Sequence, residues 1–226
     1  MQLPPVVEIN NDSEYRDIDV ETQANGMMTY VRALDIPSFR ITTSYRLTAK
    51  SASQTKYFYG GNLTSVKEKM LDFEPPFELI KFFPKAGGTI LYQTSGCLGA
   101  NYSNEALELI RKIVEFFCKC HPKKRLAILS PFVLATKKLQ EEFFNESRQI
   151  DVLIETINRI QGETVDYTIY YIPARNNNFA YSENLFNVAT SRSRSTTLII
   201  SDMPFEFTKI YSNKVLKFIS ECDFVK

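Results

Sequence analysis

Residues 125–156 read RLAILSPFVLATKKLQEEFFNESRQIDVLIET. The stretch holds two short apolar runs, Arg125 to Leu129 and Asp151 to Thr156. Between them lies a helical pattern, Ala135 to Asn145, with Leu139 and Phe143 on one face. Apolar runs of about five residues read as buried strands, and spacings of three and four read as an amphipathic helix. Strand, helix, strand in this length is the unit of a parallel sheet with crossover helices.

The alternation extends in both directions. Upstream, Asn104 to Cys118 places Leu107, Ile110, Val114 and Phe117 on one helical stripe. Ser103 is placed to cap that helix, and Glu105 and Glu108 favour its positive end. Thr89 to Tyr92 reads as a strand before it. Downstream come a strand at Tyr167 to Ile172, rich in β-branched and aromatic residues, and a helix at Glu183 to Arg192 capped by Ser182. A strand at Thr197 to Ser201 and a helix at Asn213 to Ser220 follow. The expected fold class is therefore α/β, a parallel sheet flanked by helices, with ligands collecting at the carboxyl ends of the strands.

The first 38 residues differ in character. They are polar and weakly periodic, with a short helix expected around Met27 to Leu34, and read as an arm. Phe39 to Thr42 reads as a strand and Ser44 to Tyr59 as a helical turn, which Gly60-Gly61 breaks. The division expected is residues 1–38 as arm and 39–226 as the folded domain.

Composition narrows the function. The 27 Lys and Arg residues nearly balance 26 Asp and Glu, so no bulk positive charge marks the chain for nucleic acid, although a local basic groove fits a neutral protein. No apolar run of about 18 residues suggests a membrane span, and no signal peptide is recognisable. Four cysteines without export features point to a cytoplasmic setting. Cys118, Cys120 and His121 lie close in sequence but lack the paired spacing of a zinc site and end an apolar helical pattern, so no metal site is expected. None of the eight glycines is followed by lysine, and no Asp-Glu pair ends an apolar strand. The phosphate-gripping loop and the magnesium-holding acids of a nucleotide hydrolase are thus missing from this chain.

Several segments, in order, resemble superfamily 1 helicases of the 5′-to-3′ branch (the 1B type), the group with the nonsense-mediated-decay helicase and its DNA-replication relatives. Gln2-Leu3-Pro4-Pro5-Val6 resembles the tail of their motif III. Ser44-Tyr45-Arg46-Leu47 with Phe58-Tyr59-Gly60-Gly61-Asn62-Leu63 resembles their Tyr-Arg segment. Ala127-Ile128-Leu129-Ser130-Pro131-Phe132 resembles a strand ending in Thr-Pro-Tyr. Ile160-Gln161-Gly162-Glu163-Thr164-Val165-Asp166 resembles motif V, with Glu163 one place early. Asn187-Val188-Ala189-Thr190-Ser191-Arg192-Ser193-Arg194 resembles motif VI, with serines around the first arginine. Each piece is weak alone, and it is their order and spacing that carry the resemblance.

The resemblance implies a RecA-like second motor domain, of the P-loop NTPase type but without its own P-loop. ATP and magnesium would be bound mainly by an N-terminal motor domain, a partner in the same protein, and the substrate would be single-stranded DNA or RNA. Arg192 and Arg46 would act on the γ-phosphate, and Gln2 would sense it or orient the attacking water. Tyr45, Gln161, Gly162 and Glu163 would line the nucleotide. Ser130, Thr156, Asn158 and Arg159 would contact the strand. Arginine suits the first role because its planar fork donates two parallel hydrogen bonds and keeps its charge. On the expected helix Arg192 shares the stripe of Val188 and Leu185, whereas Arg194 points about 200° away. From the residues alone, such an arginine is either held by a structural partner or aimed into a cleft. Lys119, Lys123, Lys124 and Arg125 read as a solubilising cluster away from the site. The rival reading is a non-catalytic nucleic-acid-binding or regulatory module that keeps a degenerate helicase fold.

Overall fold

The computed structural model describes residues 42–67, 74–96, 100–121, 123–146, 150–160, 162–174, 177–205 and 212–225. The arm, its helix, Gln2, Cys97 and Gln161 lie outside the described residues, as does most of the strand expected at Phe39 to Thr42.

In chain order the elements are β1 (Thr43–Ser44), α1 (Ala49–Thr55), a 3₁₀ turn (Lys56–Tyr59), β2 (Thr64–Ser65) and a second 3₁₀ turn (Phe77–Phe82). Then come β3 (Gly88–Gln93), α2 (Asn104–Cys120), β4 (Leu126–Ser130), α3 (Val133–Glu142), β5 (Val152–Thr156) and β6 (Val165–Ile172). The rest is α4 (Asn177–Ala180), α5 (Glu183–Thr190), β7 (Ser193–Ser201), α6 (Asn213–Ser220) and β8 (Asp223–Val225). Six strands pair in parallel in the order β5-β4-β6-β7-β3-β8. The parallel sheet flanked by helices is the fold class expected from the alternation.

Both sheet faces are covered, which is why β4 reads as a continuous apolar run rather than an alternating one. On one face Ile110, Ile113 and Phe117 of α2 and Leu139 of α3 share a core with Ile90, Ile128, Ile154, Ile169 and Ile200. Residues of odd register on β6, Tyr167, Ile169 and Tyr171, point to that core. Tyr170 points the other way, where its ring meets Phe186 of α5 at 6.1 Å. Phe186 also meets Phe218 of α6 at 5.3 Å, and Phe58 meets Phe218 at 5.5 Å. Gln54 of α1 finishes the β8 side of β3. Its amide accepts from Thr89 N (2.7 Å) and donates to Thr89 O (3.3 Å), one residue before β8 begins to pair.

Helix boundaries follow side-chain chemistry. Ser103 caps α2 by accepting from Ala106 N at 3.2 Å, as its sequence position suggests. Ser182 precedes α5 but its side chain makes no capping bond. The helix ends at Thr190, two residues short of the expected Arg192. Thr190 Oγ1 bonds back to Phe186 O (2.8 Å), and the serines and threonines that follow favour extended chain over helix. Ser193 Oγ lies within donating distance of Asp166 O (3.0 Å) and Thr196 O (2.8 Å), which share its one proton, and this stitches the start of β7 to β6. Arg194 is therefore a strand residue, and the helical-wheel reading of its direction does not hold. Cys118, Cys120 and Cys222 are free thiols, and His121 packs edge-on against Phe116 at 5.1 Å. Among the described residues no helix is long and apolar enough to cross a membrane.

At the carboxyl end of β7 the buried Asp202 ties three segments together. It accepts from Ser103 Oγ (2.7 Å), from Tyr171 Oη (2.5 Å) and from Thr94 Oγ1. Burial, with the Asp202 contact, raises the Tyr171 phenol far above its ordinary range, so it is a permanent donor. Asp202→Ala leaves these hydroxyls without their acceptor in a site closed to water. Such a loss costs about 2–4 kcal/mol. A urea titration should show a lower midpoint with an unchanged slope.

Candidate functional site

Two sequence candidates, Arg46 and Arg192, meet Thr164 at the amino ends of β6 and β7. Thr164 directly precedes β6 and Arg192 directly precedes β7. Their strands are joined there by Val165 N donating to Arg192 O at 3.2 Å. Arg46, just after β1, reaches the same place and donates from Nη1 to Thr164 Oγ1 at 3.4 Å. This is the opposite end of the sheet from the carboxyl ends where ligands were expected. The reason is local: both segments that resemble helicase motifs V and VI lead into strands, not out of them.

The environment of the two arginines is unusual for structural cations. Arg192 Nε donates to Val188 O (3.2 Å), a carbonyl in the last turn of α5, where the helix dipole favours positive charge. Among the described residues its two terminal nitrogens have no protein partner and face solvent. Arg46 Nε is buried without a hydrogen-bond partner. Among the described residues no carboxylate lies within ion-pair reach of either guanidinium. Burial lowers the pKa of Arg192, and the neighbouring Arg46 charge lowers it further, against a smaller opposing effect of Tyr59. Burial also lowers Arg46, with Tyr59 opposing and Arg194 adding to the decrease. Both remain cations at any physiological pH. Two half-buried, like-charged forks with free donors have the chemistry to bind a compact, multiply charged oxyanion such as a phosphate.

The remaining candidates divide. Gly162 has φ +96, a conformation that L side chains rarely adopt, and it is exposed, so glycine there serves the turn into β6. Glu163 does not face the arginine pair: it binds Arg125 Nη1 at 2.6 Å. Arg125 also lies 3.0 Å from Asp151, and its main chain binds Asp166 at 2.9 Å. Arg125 is thus a tie at the amino end of β4, not a freely solvated residue as the sequence suggested. Tyr45 is 78% exposed beside Arg46.

At the other end of the sheet, Ser130 is fully buried at the end of β4. Its Oγ accepts the Phe132 amide at 3.5 Å, so it shapes a turn and is not exposed to a strand, which corrects the expected role. Thr156 is half-buried and Asn158 exposed, both at the carboxyl end of β5. Arg159 is 76% exposed, with Glu155 at 3.7 Å.

Sequence reasoning missed Thr164, Tyr59 and the charge of Arg194. Thr164 follows the displaced Glu163 and takes the place where a partner of Arg46 is needed. Tyr59 accepts from Asn187 Nδ2 at 3.4 Å, which links the Tyr-Arg segment to α5. The serine- and threonine-rich run after Thr190 was the available sign that Arg194 leaves the helix.

The sequence matches the AAA domain family over residues 25–204, most of its length. The chain belongs to the AAA domain family. This AAA domain is similar in fold to the C-terminal domain of a possible DNA helicase from Lactobacillus plantarum WCFS1. The two share 11% sequence identity, and the match covers 81% of this chain and 99% of that one with a TM-score of 0.50. At that identity the likeness speaks for the fold alone, a parallel sheet flanked by helices. No curated protein matches the sequence significantly.

Because the AAA domain holds two unpaired cations together, removing one relieves repulsion and desolvation. Arg192→Gln should leave the melting temperature unchanged or raise it. Inorganic phosphate should raise the melting temperature of the native sequence and have a smaller effect on Arg192→Gln, read by a thermal-shift titration at constant ionic strength. Equal responses would show that the pair binds no anion.

Proposed function

We propose that this chain is the C-terminal motor domain of an ATP-dependent helicase of superfamily 1, of the 5′-to-3′ branch. The observation that carries this reading is the Arg46–Arg192 pair, whose free donors meet no carboxylate among the described residues. It is supported by the AAA domain family, by the likeness of fold to a helicase C-terminal domain, and by the order of the motif-like segments.

In this reading an N-terminal motor domain binds ATP and magnesium. Among the described residues no group of three or more His, Cys, Asp or Glu side chains is placed to hold a metal ion. This chain's part in that reading rests on its arginines. When the two lobes close, Arg192 presents Nη1 and Nη2 to the γ-phosphate, and Arg46 presents the donors that Thr164 leaves free. As the bond to the leaving oxygen lengthens, negative charge spreads over the phosphoryl oxygens and both forks bind more strongly. Gln2 orients the attacking water, Tyr45 lies along the base, and Gln161 and Gly162 bring main chain close to the phosphates. Glu163 acts indirectly, fixing the turn into β6 through Arg125.

A single strand of DNA or RNA crosses the opposite end of the sheet. Thr156, Asn158 and Arg159 hold its phosphates there and read no sequence. Closure over ATP then displaces the strand-binding end of the lobe, which ties hydrolysis to stepping.

The test is a protein extended upstream to include the first motor domain, assayed for ATPase with and without single strands. Strand-stimulated turnover is expected, whereas the 226-residue chain alone should show none above background. In the extended protein Arg192→Ala should lower kcat by on the order of a thousandfold or more. Its ATP affinity should change by less than about tenfold, since the group acts mainly in the transition state. Unchanged turnover would remove Arg192 from the site, and a well-folded extended protein without any hydrolysis would favour a non-catalytic binding module.

A further inference from the structure

Phe77 to Phe82 form the 3₁₀ turn that leads toward β3. In such a turn side chains three residues apart stand one above the other. Leu79 and Phe82 share one side and are buried in the core. Phe77 and Ile80 share another and are 91% and 53% exposed. Pro75 and Pro76 precede the turn, and their fixed φ leaves this outward apolar ridge little freedom.

Beside the turn a cavity of about 220 Å³ opens between it and the first turns of α2, next to Tyr92 near the carboxyl end of β3. Part of its wall is aromatic. The rings of Phe82 and Tyr92 meet edge to face at 5.3 Å. Lys81 Nζ lies 5.1 Å from the Phe82 centroid and 5.7 Å from that of Tyr92, so both rings already serve one cation. Three carboxylates line the same cavity: Glu78 of the turn, and Glu105 and Glu108 of α2. Glu105 is held in place, its Oε1 accepting from Tyr92 Oη (3.1 Å) and its Oε2 from Ser95 N (2.9 Å). Burial, and after it the Glu105 bond, raises the Tyr92 phenol, which keeps its proton to donate. Glu78 and Glu108 are exposed and have no hydrogen-bond or ion-pair partner among the described residues. Lys81 and Lys112 also line the cavity, so three negative charges stand against two positive.

The size suits one side chain, since cavities that take whole small ligands run to roughly 300–1,000 Å³. The excess of carboxylates disfavours phosphate, so the cavity is no extension of a nucleic-acid track. A guanidinium answers each feature of the wall. It stacks on aromatic faces, donates in pairs to carboxylates and keeps its charge. We propose that this cavity docks an arginine of a separate protein, with an apolar neighbour of that arginine lying on Phe77 and Ile80. Arginine and apolar anchors set in pockets carry much of the energy of protein interfaces. Lys81 is the resident competitor: the incoming guanidinium takes its place over the rings, and the exposed lysine moves into solvent. The proposal uses neither the Arg46–Arg192 pair nor the strand contacts, and stands apart from the motor reading.

The experiment separates charge from apolar contact. The probes are the blocked tripeptide acetyl-Leu-Arg-Leu-amide and the same peptide with citrulline, which keeps the shape of arginine and loses its charge. Each is titrated into the isotope-labelled 226-residue chain, with backbone amide shifts read by NMR. The arginine peptide should shift the amides of Glu78, Tyr92 and Glu105, and should bind about threefold more tightly than the citrulline peptide or better. Glu78→Gln combined with Glu108→Gln should remove that difference. Phe77→Ser should weaken both peptides alike. These three side chains are exposed, so thermal melts of the variants should match the native curve. Lys81→Gln should tighten binding of the arginine peptide, the reverse of what loss of a merely structural contact would do. Equal binding of the two peptides, a preference that survives the double glutamine variant, or weaker binding by Lys81→Gln overturns the proposal. So does a titration that leaves the amides of Glu78, Tyr92 and Glu105 unmoved. If a protein extended upstream loses the response that the 226-residue chain shows, its own chain covers the cavity and the separate partner is ruled out. None of these outcomes bears on strand-stimulated ATPase, which tests the motor reading by itself.

Discussion

On a strand buried on both faces a polar atom without a partner is costly, and β6 carries three tyrosines in eight residues. Their hydroxyls determine where the surrounding segments must lie. Tyr167 donates to Phe82 O at 2.9 Å and draws in the 3₁₀ turn below α2. Tyr170 reaches Ala180 O and fixes the turn that carries Phe179. Tyr171 reaches Asp202, which in turn holds Ser103 and so the start of α2. An apolar residue at any of the three positions would fill the same layer but leave these segments unanchored. The central strand thus organises both ends of the sheet, and each end has acquired its own chemistry.

At the amino end the chemistry runs against stability. A fold selected only to persist would pair Arg46 and Arg192 with carboxylates, as it pairs Arg125 with Glu163 and Asp151 a few residues away. Carboxylates are available in this region, and they are committed to Arg125 and, at 3.7 Å, to the exposed Arg194. Leaving the more buried cations unpaired while the more exposed ones are neutralised is the reverse of what desolvation favours. An arrangement of that kind makes sense when the missing counter-charge arrives with a ligand.

Much of this was legible in the sequence because it depends on periodicity. The apolar runs of β4 and β6 and the stripe of α2 are properties of single segments, and the structure reproduces them within a residue or two. α6 matches its expected bounds, Asn213 to Ser220, because Ser212 caps it with a side-chain bond to Val215 N at 3.3 Å. What was not legible depends on which segments meet. The end of α5 at Thr190 is fixed by Ser193 binding β6, a contact across 27 residues that no local pattern encodes. Glu163 is diverted to Arg125 by a register between β4 and β6 that only the assembled sheet provides. Ser130 is polar and lies at a strand end, which suggests exposure, but the turn through Pro131 folds over it. The alternation also says nothing about which end of a parallel sheet a motif will use.

That the arginine pair and the residues proposed to hold a strand occupy opposite ends of the same sheet has a mechanical consequence. Arg192 and Thr164 lead into β7 and β6, and Thr156 closes β5. The strands between are buried and bonded in register from Tyr167 to Ile172, beyond a register shift between Val165 and Tyr167, so this part of the sheet behaves as a stiff plate rather than a hinge. On the motor reading proposed above, a force applied to the arginines by a closing nucleotide would be delivered to the opposite edge as a rotation of the whole lobe, without local rearrangement. In a plate of this kind the displacement at the far end grows with the length of the strands, about 3.3 Å for each residue. Small changes in phosphate geometry at one end therefore become larger movements at the other. Coupling between hydrolysis and strand movement in such a lobe requires no signalling pathway through side chains, only that the sheet stay rigid, and the three anchored tyrosines of β6 are what keep it so.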